Sequence, residues 1–537
     1  MKKIELFILI AILIFCGIHV SKTTMDFTLT TRNLVWCFGI TVLFLMIMSR
    51  SGDVDFSILK RMIFPILCGL LIVSIFSITK AANKGEGWYE VARLFTQVVT
   101  LFVAAIIISE NNKNVLFKFI LLLSLGLGGY GIYQFFEITN NPAARTGTMA
   151  NMNLCSSAHV LMIPFSIYAI FRYSKIWKIL GFVSVAIALF IVFYSLRTRS
   201  AWVALFIAGT VATLHRKKLA IVMLISFVVL GIGIYLIKGP AVLNADSMKQ
   251  RADMWGQSLN MFKDHPLGVG AGNWRVAIPY YSRNMSEKTR AVAFKTVYFQ
   301  RPHNGWIWKL TELGIFGIIL YISFFAMGLY YAIRARSVLM YSVIAAYVVV
   351  AVFSFPGERA FHTLFLLLIM ASSLALYHKK QPVKVNARLV YVCSVLVMIG
   401  LSFALVNFGI RYRTEQSVFK ALHARKAQDW NAILKHIGNI SQFSTLDSFA
   451  TPLAYYQGIG YFQKKDYGCA LAKFEEALKE SPNHIFVQMQ LATCLAIHQR
   501  VGEAQKIYER ITEMYPGYLP AQQNLAAVKT VAKGKNK

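Results

Sequence analysis

Apolar stretches of about 17 to 25 residues recur along this chain, and a segment of that length and character can cross the hydrocarbon of a bilayer as a helix. They fall near 4–20, 33–49, 62–78, 91–109, 115–136, 156–171, 177–195, 200–214, 219–237, 305–333, 338–355, 360–377 and 388–410. Thirteen such stretches predict an all-α, polytopic helical membrane protein. Composition agrees: of 537 residues, 56% are hydrophobic and 15% charged, with a mean hydropathy of +0.53, which is too apolar for an ordinary soluble chain. A net charge of +32 in a soluble protein would suggest nucleic acid. Here the basic residues sit in short loops between spans, so no nucleic-acid partner is expected.

The N-terminus, MKKIELFILIAILIFCGIHV, lacks a small-residue cleavage site, and Phe15 before Cys16 departs from a lipoprotein-type box. It reads as a first, uncleaved membrane helix. Lys2 and Lys3, Lys60 and Arg61, Lys113, Arg172, Lys175 and Lys178, His215 to Lys218, Arg334 and Arg336, and Lys379 to Arg388 all fall on one side of the thirteen spans. The positive-inside rule makes that side, and the N-terminus, cytoplasmic. The opposite face receives 21–32, 79–90, 137–155, Arg197 to Arg199, 238–304, 356–359 and everything after 410. The expected organisation is a membrane domain, 1–410, with a large outer loop, 238–304, and an outer C-terminal domain, 411–537. The seven cysteines have no metal-type spacing and read as packing residues, Cys469 and Cys494 included.

The outer loops hold the residues with chemical potential. NNPAARTGTMANMNLCS offers Arg145, Asn151 and Asn153 just above the membrane, although Asn is also an ordinary capping residue. In SLRTRSAW, Arg199 opens a span at the end where the helix dipole should repel a cation. Such a placement asks for an anion nearby or for snorkelling to lipid phosphate. The loop 238–304 carries ten basic residues against four acidic ones, a surplus that calls for an anionic partner. Within it, Met248, Trp255, Leu259 and Phe262 share helical spacing and predict an amphipathic helix lying on the membrane, with Arg251 on the same face. HPLGVGAGNW, 265 to 274, permits a tight backbone turn with amides exposed, as phosphate contact would use.

RPHNGWIWKLTELGIFG, 301 to 317, closes the loop and enters a span. Asn304 is placed to cap that helix, while Glu312 is placed to pair with Lys309. The helix dipole should keep the His303 imidazole neutral and able to take a proton, as a general base requires.

Taken in order, RTGT-x-x-N-x-N (145–153), TRSAW (198–202), R-x-x-x-W (251–255), HPLGVGAGNW (265–274) and PHNGWIWKLTELGIFG (302–317) resemble the O-antigen ligase and polymerase superfamily. The sequence departs locally, with TRSAW where relatives often have Ser-Arg-Gly and Met152 where a proline is common. The resemblance implies a helical fold of the C-type glycosyltransferase kind in the bacterial inner membrane. It implies transfer of a glycan from undecaprenyl pyrophosphate on the periplasmic side, without metal, nucleotide sugar or other cofactor. By motif, His303 is the expected catalytic histidine, Arg199 a catalytic arginine, and Arg251 a pyrophosphate-holding one; Arg145, Asn304, Asn151 and Asn153 are further candidates for substrate contact. Guanidinium groups suit a pyrophosphate leaving group. No carboxylate is obviously placed as a covalent nucleophile, so inverting displacement is expected.

Beyond the last span, 451–484 and 485–518 fit a 34-residue tetratricopeptide pattern. Gly458, Tyr461, Ala470, Phe474, Ala477 and Pro482 mark the first repeat; Leu491, Ala492, Leu495, Ala504, Tyr508 and Pro516 mark the second. Residues 411–450 predict a degenerate helical pair, 519–530 a capping helix, and KTVAKGKNK a frayed tail. Such a domain usually docks a protein or peptide. The acceptor stays open at this point: lipid A-core for a ligase, a second lipid-linked glycan for a polymerase, or a Ser or Thr hydroxyl for a protein O-oligosaccharyltransferase. A non-catalytic transporter or scaffold for lipid-linked sugar would instead be expected to show ionisable residues or broken helices at mid-membrane.

Overall fold

The computed structural model describes residues 2–214, 216–238, 246–294, 299–378 and 386–535. His215 and Lys295, and Lys379, Lys380 and Lys384 of the expected cytoplasmic turn, lie outside the described residues. The first nine helices are α1 (Lys2–Ile18), α2 (Thr30–Met48), α3 (Ile63–Ser77), α4 (Lys84–Ile107), α5 (Lys113–Glu137), α6 (Met152–Arg172), α7 (Lys175–Leu189), α8 (Arg199–Thr213) and α9 (Lys217–Lys238). The large loop folds into α10 (Asp246–Asp264), α11 (Trp274–Tyr281) and α12 (Glu287–Val292). Then come α13 (Gly305–Arg334), α14 (Val338–Phe353), α15 (Ala360–Tyr377) and α16 (Ala387–Lys426), followed by α17 (Trp430–Ile437), α18 (Leu453–Gln463), α19 (Tyr467–Glu480), α20 (Ile485–Ile497), α21 (Val501–Met514) and α22 (Leu519–Lys535).

Each of the thirteen apolar stretches falls on one of α1 to α9 or α13 to α16, so the chain is all-helical as the pattern required. Among the described residues, nine helical stretches are long and apolar enough to cross a membrane. α15 forms the centre of the bundle: every residue from Ala360 to Leu374 is buried. α9 is the opposite case, with Ile221, Val222, Leu224 and Ile225 all more than half exposed. A run of outward-facing apolar side chains suits a helix surrounded by lipid.

The long span 305–333 is broken. At Gly314 the backbone takes φ 66°, ψ −163°, interrupting α13 one-third of the way along. The freed polar groups are taken up by the glycine-rich loop: Val269 N–H donates to Thr311 O at 2.9 Å, Gly270 N–H to Glu312 O at 3.1 Å, and Ile315 N–H to Pro266 O at 3.0 Å. Gly268 (φ 89°) and Gly314 meet at this crossing, where a Cβ on Gly268 would stand 2.3 Å from Glu312 O and one on Gly314 2.4 Å from the Leu267 carbonyl carbon. The loop expected to touch phosphate therefore has two of its amides occupied by α13. Buried backbone must find such partners, and here they come from a distant segment.

α10 forms where the amphipathic helix was expected. Gln257, Ser258 and Met261 are buried, and Trp274 Nε1 donates to Ser258 Oγ at 2.9 Å. Of the stripe expected to lie on the membrane, Met248 and Leu259 are 39% and 41% exposed, whereas Trp255 and Phe262 are half-buried.

The boundary expected at 410 lies inside α16, a single helix of 40 residues, about 60 Å at 1.5 Å per residue. Its last turns supply Val418 and Ala421 to the repeat-domain core, so the expected degenerate pair is the end of α16 with α17. The two tetratricopeptide repeats are the pairs α18–α19 and α20–α21, capped by α22. α22 continues to Lys535, into residues expected to fray. The repeat domain is seated on the outer loop: Phe294 stacks on Tyr515 at 5.1 Å, and Ile485, Met514 and Tyr515 share a buried cluster with Trp274, Ile278 and Phe299. All seven cysteines, Cys469 and Cys494 among them, are free.

Candidate active site

His303 sits at the entrance of α13 in an unusual backbone conformation, φ 55°, which costs a non-glycine residue on the order of 1–3 kcal/mol. Three contacts hold it there. Asn304 caps α13, its side chain accepting from Trp306 N–H at 2.9 Å and Ile307 N–H at 3.0 Å. Gly305 N–H donates to Ser354 O at 3.1 Å, tying the entrance to the end of α14. The Phe355 ring meets the imidazole edge-on with centroids 5.3 Å apart. The Nδ1 atom of His303 is buried without a hydrogen-bond partner.

Arg251 arrives from α10. One turn further on, Trp255 Nε1 donates to Pro302 O at 2.7 Å, which fixes α10 against the residue preceding His303. Arg199 is the first residue of α8. A π-helical turn, Phe190–Ser195, and the positive φ of Arg197 (51°) aim the chain into it. Thr198 Oγ1 is pinned to Ser156 Oγ at 2.7 Å, and Trp202 Nε1 closes back on Val192 O at 3.0 Å.

The electrostatics link the three residues. Burial, and then the charge of Arg199, push the Arg251 guanidinium below its usual pKa, though it remains a cation. Burial first, and then the charges of Arg251 and Arg301, push His303 down to about 4, against an upward pull from Glu358. The imidazole is therefore neutral at ordinary pH. The cause differs from the helix dipole expected from sequence, since burial dominates.

Beneath Phe355 lies a charge cluster that the sequence did not reveal. Arg301 Nε pairs with Glu358 at 2.5 Å and Arg301 Nη2 with Asp26 at 3.6 Å; Arg359 pairs with Asp26 at 2.9 Å and Glu358 at 3.2 Å. Arg301 and Arg359 lie 4.9 and 5.7 Å from the Phe355 ring centroid. Although burial opposes it, Arg359 and Arg301 hold the Asp26 carboxyl at about 2. The available signals were an acid in loop 21–32 and the run Glu358-Arg359 directly after a span, but nothing in the sequence pairs loops more than 300 residues apart.

The other candidates are engaged locally. Arg145 is buried and donates to Ile138 O at 2.7 Å, to Ser195 O at 3.3 Å and to Thr139 O at 3.3 Å, with its guanidinium over Phe135. Asn151 caps α6, accepting from Asn153 N–H at 2.8 Å. Asn304 spends its oxygen on α13. Much of the loop's basic surplus is likewise absorbed: Arg275 pairs with Glu86, Lys288 with Asp246, and Arg290 donates to Arg283 O and Met285 O. Among the described residues, Arg251 makes no hydrogen bond or ion pair.

Glu312 is buried beside the break in α13, accepting from Trp308 Nε1 at 2.7 Å and Trp274 N–H at 3.3 Å. Lys309 stands 3.9 Å from Glu312 and 3.7 Å from Glu90. The expected Lys309–Glu312 pairing is present, but as a loose contact inside a larger network.

Residues 155–322 match the model of the O-antigen ligase family, and residues 461–528 match a tetratricopeptide repeat. No curated protein matches the chain. The first match spans Arg199, Arg251 and His303 and indicates O-antigen ligase or polymerase-type function; with the apolar helices it indicates a multi-pass membrane protein. The chain thus carries an O-antigen ligase domain among its apolar helices and a tetratricopeptide repeat near its C-terminal end.

Proposed function

We propose that this protein is an O-antigen ligase-like glycosyltransferase that moves a glycan from undecaprenyl pyrophosphate to an acceptor hydroxyl of lipid A-core at the periplasmic face of the bacterial inner membrane. The N-terminus would be cytoplasmic and the repeat domain periplasmic. The observation that carries the proposal is the neutral, strained His303 beside Arg251, with Arg199 near enough for its charge to reach Arg251.

In this mechanism His303 removes the proton of the acceptor hydroxyl as its oxygen attacks the anomeric carbon. The bond from that carbon to the pyrophosphate breaks with inversion, and undecaprenyl pyrophosphate leaves with the bonding electrons. Because Nδ1 is enclosed, Nε2 is the nitrogen assigned to the acceptor. Arg251 and Arg199 stabilise charge gathering on the leaving phosphates. A pKa of about 4 makes free His303 a weak base. Binding of the anionic donor beside Arg251 offsets the positive field and raises it, so basicity would develop once substrate is in place.

The test is transfer by purified full-length protein from undecaprenyl-pyrophosphate-linked glycan, offered lipid A-core, a second lipid-linked glycan or a Ser/Thr peptide in parallel. The proposal expects product on lipid A-core from wild type and none from His303→Ala. Product only on lipid-linked glycan would make the protein a polymerase, and product only on peptide a protein O-oligosaccharyltransferase. The break in α13 with buried Glu312 favours a second reading, a transporter of lipid-linked sugar. Movement of the lipid-linked glycan across proteoliposomes without any bond transfer would select it.

A further inference from the structure

One open cavity lies away from His303. It has a volume of about 510 Å³ and opens between α6, α8 and the turn from α13 to α14. α14 gives the separation: its last residues adjoin Ser354, which accepts from Gly305, whereas its first residues, Val338 and Leu339, line the cavity. Sixteen helical residues rise about 24 Å, so the cavity and the His303 edge occupy opposite ends of the bundle.

Its walls and rim differ in chemistry. Ala208, Gly209 and Ala212 on α8 are small and leave a slot against Ile163 and Ile167 of α6. The rim carries Arg172, Arg336 and Lys113 against a single acid, Glu110, which pairs with Lys113. Arg172 and Arg336 are exposed and, among the described residues, have no ion pair. The N-terminus of α14, capped by Ser337, adds its positive dipole end to the same rim. An apolar slot between membrane-type helices under a cationic mouth matches one kind of molecule: an amphiphile with a hydrocarbon tail and an anionic head.

We infer that this cavity binds a membrane lipid by its phosphate headgroup, with Arg172 and Arg336 on the phosphate and the tail along α6 and α8. A soluble anion is disfavoured because it would leave the apolar slot unfilled, and a zwitterionic lipid because its choline cancels the net charge that would meet the arginines. The phosphate has two sources, a bulk anionic phospholipid or a polyprenyl phosphate. The site does not depend on the proposed transfer reaction.

Thermal unfolding of the full-length protein in neutral detergent tests this, titrating dioleoyl phosphatidylglycerol, undecaprenyl phosphate, dioleoyl phosphatidylcholine and inorganic phosphate separately. At least one of the two anionic lipids should raise Tm saturably. Whichever acts names the source, and neither phosphatidylcholine nor inorganic phosphate should match it. Arg172→Gln/Arg336→Gln should weaken the response about tenfold or more, since each cation near a membrane surface contributes about 1 kcal/mol. Ala212→Trp, which fills the slot and keeps the charges, should weaken it as well. Glycan transfer by folded variants, measured in neutral detergent with no anionic lipid beyond donor and acceptor, should match wild type. Equal stabilisation by phosphatidylcholine or by inorganic phosphate, or an unchanged response in both variants, overturns the proposal.

Discussion

Two charged neighbourhoods meet at the Phe355 ring and have opposite characters. On one side, Asp26, Arg301, Glu358 and Arg359 form a closed set in which every charge has an opposite partner. On the other, His303 keeps an unpartnered buried nitrogen and a strained backbone, and Arg251 has no counter-ion among the described residues. Desolvated charges that are paired hold a fold together only as a complete set. Groups left short of partners raise the energy of the empty protein and are relieved by a ligand. The difference separates scaffold from candidate site more sharply than residue type does, since Arg301 and Arg251 belong to the same basic loop.

The widest gap between the two sides should come from His303. His303→Gly is expected to lower transfer by about 10²–10⁴-fold, the usual contribution of a general base. It should also hold or raise stability by up to ~1 kcal/mol, because glycine tolerates the positive φ. Transfer assays paired with thermal unfolding check both parts, and a glycine variant that transfers normally removes the base. Glu358→Ala should behave in the reverse manner. Leaving Arg301 and Arg359 buried without this carboxylate should cost about 3–5 kcal/mol, read as a lower Tm and less folded protein.

A smaller effect is expected for Arg251→Gln: a loss of about 1.5–3 kcal/mol in donor interaction, appearing mainly in KM, with partial recovery in Arg251→Lys. A thermal midpoint that fell as far as that of Glu358→Ala would move Arg251 to the scaffold side. The finest discrimination is by pH. His303 has its folded pKa depressed to about 4 from the usual 6.5, so its neutral form persists as pH falls through 6.5 and is lost only as pH falls through about 4. The acid limb of kcat/KM, which reports the free enzyme, should lie near the lower value, and that of kcat higher, once the donor offsets the arginines. Arg251→Gln removes a positive neighbour and should move the kcat/KM limb upward. A limb that stays in place in this variant would sever the link between the two residues.

Gly268 offers a control for the closed region. Gly268→Ala should cost about 2 kcal/mol or more, because the new Cβ would stand 2.3 Å from Glu312 O at φ 89°. Chemical denaturation measures it. If the alanine variant were as stable as wild type, the crossing of the glycine loop with α13 would not be the rigid joint described.

The sequence determined the class of fold, because apolar length and helical repeat spacing are local properties that a bilayer and a 34-residue repeat both enforce. It placed an apolar stretch on each of thirteen helices, and it placed both repeats and their cap. It also singled out His303, Arg199 and Arg251, whose residue types and order are local signals. Which cations would be consumed was not legible: Arg145 and Arg301 look no different from Arg251 until their partners are known, and those partners are loop carbonyls and carboxylates from remote segments. The same holds for the break at Gly314, which is stable only because Val269 and Gly270 arrive from another loop to take its freed carbonyls. Tertiary structure alone decided these points, because burial and pairing belong to the contacts between segments and not to any segment by itself.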